Sequence, residues 1–322
     1  MKRSQDMLIF AVLLAALIAA PFVAYPVFLI KVLCFALFAT AFNLLIGYVG
    51  LLSFGHAMFF GVGSYVSAHL LKSGTIAVPF SGAVLTLPQV APEIALVAAI
   101  AVTAIMGFIV GLIAIRRQGI YFAMVTLALA QMVYFLCVKA PFTGGEDGIQ
   151  GVPRRKVFGL FDTANDLTLY YIVLAVFVIG FLIIHRTIHS PFGQVLKAIR
   201  ENEPRAISLG YRVDQYKLVA FVISAGLAGL AGATKALVFP ASLTDAQWQM
   251  SGEVVLMTLV GGMGTVFGPS AGAAIIVTMQ NYLKGLGEWV LVIQGAIFVI
   301  TVLLFRRGVV GEIAALVKRL RG

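Results

Sequence analysis

Long apolar runs, each closed by charged or glycine-rich residues, organise this chain. A membrane-crossing helix needs about 20 mostly apolar residues. Reading between the charges yields nine candidates: Met7–Ala24, Phe28–Val49, Phe54–Leu71, Ile94–Ile115, Gln118–Val138, Leu167–Ile184, Leu218–Leu237, Val254–Leu283 and Trp289–Phe305. Lys31, near the start of the second, is tolerated by snorkelling. Val254–Leu283 runs for 30 residues without a charge, too long for one crossing and short of the ~40 residues that two would need. Its middle, GGMGTVFGP from Gly261 to Pro269, breaks a helix, since glycine is a poor helix former and proline has no amide to donate. One passage of this run is therefore expected to be short or re-entrant.

Basic residues set the orientation. Lys2 and Arg3, Arg116 and Arg117, Arg186 to Lys217, and Arg306 to Arg321 share one face only if Val254–Leu283 passes twice. That gives about ten spans with both termini inside. On this assignment the inner segments hold 15 Lys+Arg against 5 Asp+Glu, and all other positions hold 8 against 8. The expected fold class is an all-α polytopic transmembrane bundle, one unit over residues 1–322, with a cytoplasmic connection at 186–217 and an external loop at 139–166. A cleaved signal peptide is the alternative for Met1–Pro26, but its apolar run of about 18 residues exceeds the ~7–15 of such peptides. A retained helix is the expectation. Gly226, Gly229 and Gly232 recur every third residue among Ala225, Ala228, Ala231 and Ala233, and Gly107 pairs with Gly111. Such faces let helices approach closely where lipid supplies no hydrophobic drive.

Composition sharpens this reading. Of 322 residues, 61% are hydrophobic and 11% charged, against about 45–50% and about 25% in soluble domains. Soluble, disordered and disulfide-scaffold classes are excluded together, and membrane lipid is an obligatory partner. Cys34 and Cys137 fall inside apolar runs, where a thiol behaves as a small hydrophobe. The net charge of +10 follows from basic inner loops, so nucleic acid is not expected as a partner.

Catalytic signals are absent. The chain has no Gly-Lys dipeptide and hence no GxxxxGK[ST] phosphate cradle. The Gly61-Val62-Gly63 and Gly262-Met263-Gly264 fragments sit in no strand-turn-helix unit and read as packing or helix-break glycines. The histidines are His56, His69, His185 and His189. His185 and His189 share a helix face at i, i+4, but no third metal ligand accompanies them. No metal, cofactor or enzymatic activity is expected. Acidic groups inside the spans are nearly missing, with only Glu253 at a boundary and Asp245 in an outer loop, which disfavours a proton-coupled carrier.

The cytoplasmic connection carries the strongest signal. HRTIHSPFGQVLKAIRENEPRAISLGYRVDQYK reads as two short helices. Ser190 caps the first ahead of Pro191, and Phe192, Val195, Leu196 and Ile199 form one apolar stripe. Asn202 or Glu203 caps the second, Pro204 starts it, Ile207 and Leu209 are its apolar contacts, and Gly210 ends it. The stripe needs a cover, either the chain's own helix ends or, as preferred here, a groove on a partner that supplies the missing nucleotide site.

That connection resembles the coupling motif of ABC-importer permeases. From Ser190 to Ala233, the wording SPFGQVLKAIRENEPRAISLGYRVDQYKLVAFVISAGLAGLAGA is similar to the branched-chain amino-acid ABC transporter permease family, LivM-like subunit. GLLSFGHAMFFGVGSY (Gly50–Tyr65), TGGEDGIQGVP (Thr143–Pro153) and SGEVVLMTLVGGMGTVFGPSAGA (Ser251–Ala273) resemble the same family in the same order. Phe54 and Ser64 depart from its more usual Leu and Ala. The resemblance implies a LivH-like second permease, cytoplasmic ABC ATPases and a periplasmic or extracellular solute-binding protein, with the chain in the bacterial inner membrane. It implies ATPase coupling by Ile199, Arg200, Glu201, Glu203, Pro204, Arg205, Ala206 and Gly210, through tilting of the Lys217–Leu237 span. Its substrates would be branched-chain or other hydrophobic amino acids, with urea or short amides as an alternative. A self-sufficient ion-coupled carrier is the alternative of another class.

Candidate translocation-path residues are Asn43, Ser53 and His56, together with Gly261, Gly262 and Gly264 at the helix break. Irregular backbone at membrane depth lines a cavity or is buried in protein. In the external loop, Gly144, Gly145, Glu146 and Asp147 are candidates for docking the binding protein, or else form a plain solvated turn.

Overall fold

A computed structural model of the protein describes residues 2–72, 75–77, 84–86, 90–287, 289–304 and 308–312. Among the described residues the helices, in chain order, are α1 (Lys2–Ala19), α2 (Pro26–Asn43), α3 (His56–Lys72), α4 (Pro92–Ala114), α5 (Ile120–Lys139), α6 (Asp166–His189), α7 (Pro191–Glu201), α8 (Glu203–Ser208), α9 (Val213–Lys235), α10 (Trp248–Gly261), α11 (Gly268–Tyr282) and α12 (Trp289–Leu304). Each of the nine apolar runs corresponds to helix. The all-α expectation needs one amendment, a two-stranded antiparallel hairpin, β1 (Thr75–Ala77) with β2 (Val84–Thr86). The basic stretch Arg306 to Arg321 lies outside the described residues apart from 308–312.

Proline opens α2, α4, α7, α8 and α11 within their first two positions, where its missing amide has no partner to lose. By length and composition, α2 with its extension to Val49, α4, α5, α6 and α9 are long and apolar enough to cross a membrane. α10 and α11, of 14 and 15 residues, span only about 21 and 22 Å at 1.5 Å per residue. That is less than the ~30 Å of hydrocarbon. They fold back on each other around the break at 262–267, with Gly261 close to Gly268 and Gly272 close to Met257.

α2 is the central post. Every residue from Leu33 to Leu45 is buried, as a helix apolar on all sides requires, and it packs on α6, α9, α10 and α11. α9 is the second post, pressed on α3 and α4. Its glycines make that possible: a Cβ on Gly229 would overlap Thr103 of α4, one on Gly63 would overlap the Gly229 backbone, and one on Gly232 would overlap the Phe60 carbonyl. α1 docks on α6, where the Tyr170 hydroxyl donates to the Leu17 carbonyl at 2.6 Å and Phe10 stacks on Phe181 at 5.8 Å.

Candidate functional site

The 186–217 connection folds as two capped helices. The Ser190 side chain accepts from the Gly193 amide at 3.3 Å, and the Asn202 side chain accepts from the Arg205 amide at 3.0 Å. Gly210, with φ +88°, ends the turn after α8. The stripe on α7 does not wait for a partner. Leu196 is fully buried and Ile199 nearly so, and Phe192 stacks on Tyr216 of α9 at 5.6 Å. The preferred expectation of a partner groove for this stripe is thus corrected. One residue, Ser190, separates α6 from α7, so α7 folds straight back onto the helix ends above it. The uncovered apolar groups are instead Ile207, Leu209 and Tyr211, at 56%, 69% and 40% exposure. Glu201, Arg205 and Arg212, near them in the chain, are exposed as well. Ile207 and Leu209 therefore do not serve as inward contacts of α8. Beside them an open groove of about 570 Å³ is lined by His189, Pro191, Gln194, Val195, Ala198 and Tyr211.

The implied coupling residues divide between two directions. Glu201, Pro204, Arg205 and Gly210 face outward, whereas Ile199 and Ala206 are buried. Glu203 accepts from Lys217 Nζ at 2.6 Å and from Gln118 Nε2 at 3.1 Å. It thereby ties α8 to the base of α9 and to the α4–α5 turn. Arg200 reaches upward and donates from Nη1 to the carbonyl of Gly47.

Gly47 lies in a widened turn, Leu44–Val49, that extends α2 by i→i−5 bonding: the Gly50 amide donates to the Leu45 carbonyl at 2.8 Å. Such turns often mark functional positions. Above it stands the α10–α11 break. Asn43 grips that break from both sides: Oδ1 accepts from the Gly264 amide and Nδ2 donates to the Thr265 carbonyl, each at 2.9 Å. Gly264 has φ +77°, a left-handed conformation that glycine adopts at no steric cost. Thr265 Oγ1 closes the turn, donating to the Gly262 carbonyl at 2.7 Å and accepting from the Gly268 amide at 3.0 Å. The structure thus brings Asn43, Gly262, Gly264 and Arg200 together.

Ser53 and His56 go elsewhere. Ser53 Oγ accepts from the Gly55 amide at 3.3 Å within the turn before α3. His56 is fully buried among the rings of Phe42, Phe59 and Phe221. The Ser224 hydroxyl donates to the Ala41 carbonyl at 2.6 Å and sits 2.9 Å from His56 Nε2. Its one proton is thereby used, so Nε2 carries the hydrogen and donates to Ser224. Nδ1 meets no partner. This geometry links α3, α9 and α2 in a polar seam within apolar packing.

At the opposite end of the bundle, Gly144, Gly145, Gly148 and Gly151 all have positive φ. The loop is pinned by an antiparallel bridge, with the Ile149 amide donating to the Ala241 carbonyl at 2.9 Å. Exposed Glu146 and Asp147 project from it. Next to Ala241 lies a buried ion pair that sequence reasoning missed: Lys235 Nζ donates to Asp245 Oδ1 and Oδ2 at 2.6 and 2.7 Å. Ser64 Oγ adds a bond to Oδ2 at 3.2 Å. The signal was Lys235, ten residues before Asp245, at the end of an otherwise uncharged run. Ser251 was also missed; its hydroxyl accepts from the Ala57 amide at 2.9 Å, satisfying one of the unpaired donors at the start of α3.

Apolar helices around two buried posts, a half-length helical hairpin and a capped two-helix connection between spans describe a multi-pass membrane protein. The family described as "Branched-chain amino acid transport system / permease component" matches residues 25–302. The chain belongs to that family. Among its relatives is the high-affinity branched-chain amino acid transport system permease protein LivM of Salmonella typhimurium, 29% identical over 289 residues, covering 80% of this chain and 63% of the relative. The probable branched-chain amino acid transport permease protein LivM of Methanocaldococcus jannaschii is 27% identical over 197 residues, 58% of this chain and 56% of the relative. The ribose import permease protein RbsC of Bacillus subtilis is 32% identical over 197 residues, 56% of this chain and 58% of the relative. The chain thus spans less than two thirds of the length of these relatives. No solved structure matches it.

Proposed function

We propose that this chain is a LivM-like permease subunit of an ATP-binding-cassette importer that moves branched-chain or other hydrophobic amino acids across the bacterial inner membrane. It forms the pore with a LivH-like second permease. ATPase subunits supply the energy from the 186–217 side, and a solute-binding protein delivers substrate to the 139–166 side, at Glu146 and Asp147. The single observation that carries this reading is the outward face of α8. Ile207, Leu209 and Tyr211 stand exposed outside the spans, Tyr211 lining an open groove, with exposed Glu201, Arg205 and Arg212 near them in the chain. An apolar centre with a polar rim is the form of a protein-docking surface. The relatives' names support the substrate class, and the ribose permease among them makes sugars the control to run.

In this reading both termini lie in the cytoplasm and about ten passages cross or enter the bilayer, with α10 and α11 as a half-length pair. Closure of the ATPases draws α7 and α8 along with it and alternates the opening of the pore. The test is purification of the tagged chain from native membranes in mild detergent, followed by uptake into liposomes with leucine, isoleucine, valine, urea and ribose. Companion ATPases and ATP-dependent uptake of branched-chain amino acids are expected. Removal of Ile199–Gly210 should abolish assembly or stimulated hydrolysis. A chain that purifies alone and moves solute on an ion gradient would overturn the proposal.

A further inference from the structure

Polar side chains of α7 and α8 fasten the 186–217 connection to the bundle, and they lead to different places. Glu203 fastens α8 to Lys217, at the base of α9. Arg200 fastens α7 to the Gly47 carbonyl in the widened turn of α2. Lys197 adds to the second attachment, its ammonium 5.6 Å from the centre of the Tyr48 ring. From Gly47 the contacts continue without a gap. A Cβ on Gly47 would lie 2.8 Å from the Gly264 amide, and one on Gly264 would lie 3.1 Å from Arg200 Nη1. Asn43, one turn earlier on α2, holds Gly264 and Thr265 by two hydrogen bonds.

Resting on the proposed function, we infer that Arg200 is a positioning residue that carries movement of α7 into the α10–α11 break, through the Gly47 backbone and the Asn43 carboxamide. The route therefore runs through α2 and does not depend on α9 alone. Three physical features support it. The guanidinium is a planar fork with five donors on a long stem, able to keep a carbonyl bonded while α7 shifts. The Gly47 carbonyl lies among the last carbonyls of the helix, which ends at Gly50, and such carbonyls have no partner within the helix. The break is six residues long, 262–267, with left-handed or positive-φ backbone at Gly262 and Gly264, and a few such residues suffice to absorb a hinge motion. Displacing α7 thus re-aims two half-length helices whose tips meet at the turn that Arg200 touches.

The experiment compares Arg200→Ala, Arg200→Lys and Asn43→Ala with the unmodified chain in the whole co-purified transporter. For Arg200→Ala, ATPase subunits should still co-purify in unchanged ratio, because the side chain is turned to the Gly47 carbonyl and away from the exposed face of α8. Maximal uptake should fall at least tenfold with the KM for substrate unchanged. Arg200→Lys, which keeps a donor, should retain a third or more of uptake, and Asn43→Ala should behave like Arg200→Ala. Loss of the ATPase subunits in Arg200→Ala would make Arg200 a docking residue, and unchanged uptake would make it a spectator; either overturns the inference. Hydrogen exchange on the full chain in lipid nanodiscs, with no ATPase present, tests the contact chain separately from the proposed function. Arg200→Ala should speed exchange at least tenfold in both 44–51 and 262–268. Faster exchange confined to 191–201 would refute the route even if the chain proved to be an ATP-driven permease. If the unmodified chain brings no ATPase, the functional reading fails, while the exchange result still decides the contact chain.

Discussion

α4 and α9 lie against each other, yet they obey opposite rules. α4 is the more apolar, with a mean hydropathy of 2.7, and only 28% of its span is buried. α9 has a mean hydropathy of 1.6, and 78% is buried. Val97, Ile105 and Ile109 of α4 stand 65%, 62% and 54% exposed, while Gly229, Gly232, Ser224 and Lys235 of α9 are buried. In water this would be an inverted protein. In lipid it is the expected order, because the acyl chains are as apolar as leucine and give helices no hydrophobic reason to associate. Contact then rewards small residues that let backbones close up and polar groups that need an internal partner. Exposure to lipid, by contrast, selects branched apolar side chains.

The contrast predicts a graded series of stability effects, each read as a thermal unfolding shift of the detergent-solubilised chain. Lys235→Met leaves the Asp245 carboxylate buried with its ammonium partner gone and should cost about 3–5 kcal/mol. Pairing it with Asp245→Leu should return most of that. If the double variant is no better than the single one, the ion pair is not what holds the 243–246 turn. Gly229→Val forces a branched side chain into Thr103 of α4 and should cost roughly 3 kcal/mol. A melting temperature at the unmodified value would show that the α9–α4 crossing is looser than described.

Ser224→Ala removes the acceptor for His56 Nε2 and should cost about 1–3 kcal/mol as a buried donor left unpaired. Restoration by His56→Phe in the same chain would confirm that the cost lies in the unpaired nitrogen. The smallest effect belongs to α4: Ile105→Ala, facing lipid, should stay within about 0.5 kcal/mol. A loss as large as that of Ser224→Ala would place Ile105 against a protein partner and erase the distinction between the two helices.

Much of the architecture was legible from the residues. Helix starts followed prolines, the Ser190 and Asn202 caps fell where their side chains reach a free amide, and GGMGTVFGP broke the long apolar run. The bounds of α9 were less legible. Charge counting began it at Leu218, but the helix starts at Val213 and takes in Asp214 and Lys217, the latter buried and paired with Glu203. Asn43 was recognised as an unusual polar group, though its role as a grip on Gly264, 221 positions away in sequence, has no local signature. Arg200 and Arg205 occupy equivalent-looking places in the connection. Only packing turned the first toward Gly47 and left the second facing outward.

The apolar runs and the turn residues thus determined by themselves that this is a helical membrane protein, which segments form its apolar helices, and where the 186–217 connection is capped. These properties depend on neighbours a few residues apart and on the solvent the chain must accept. Which apolar faces meet lipid and which meet protein, that the α7 stripe is covered from within while α8 is not, and that Lys235 finds Asp245 were decided only in the tertiary structure. They depend on distances between residues far apart in the chain, which no local pattern encodes.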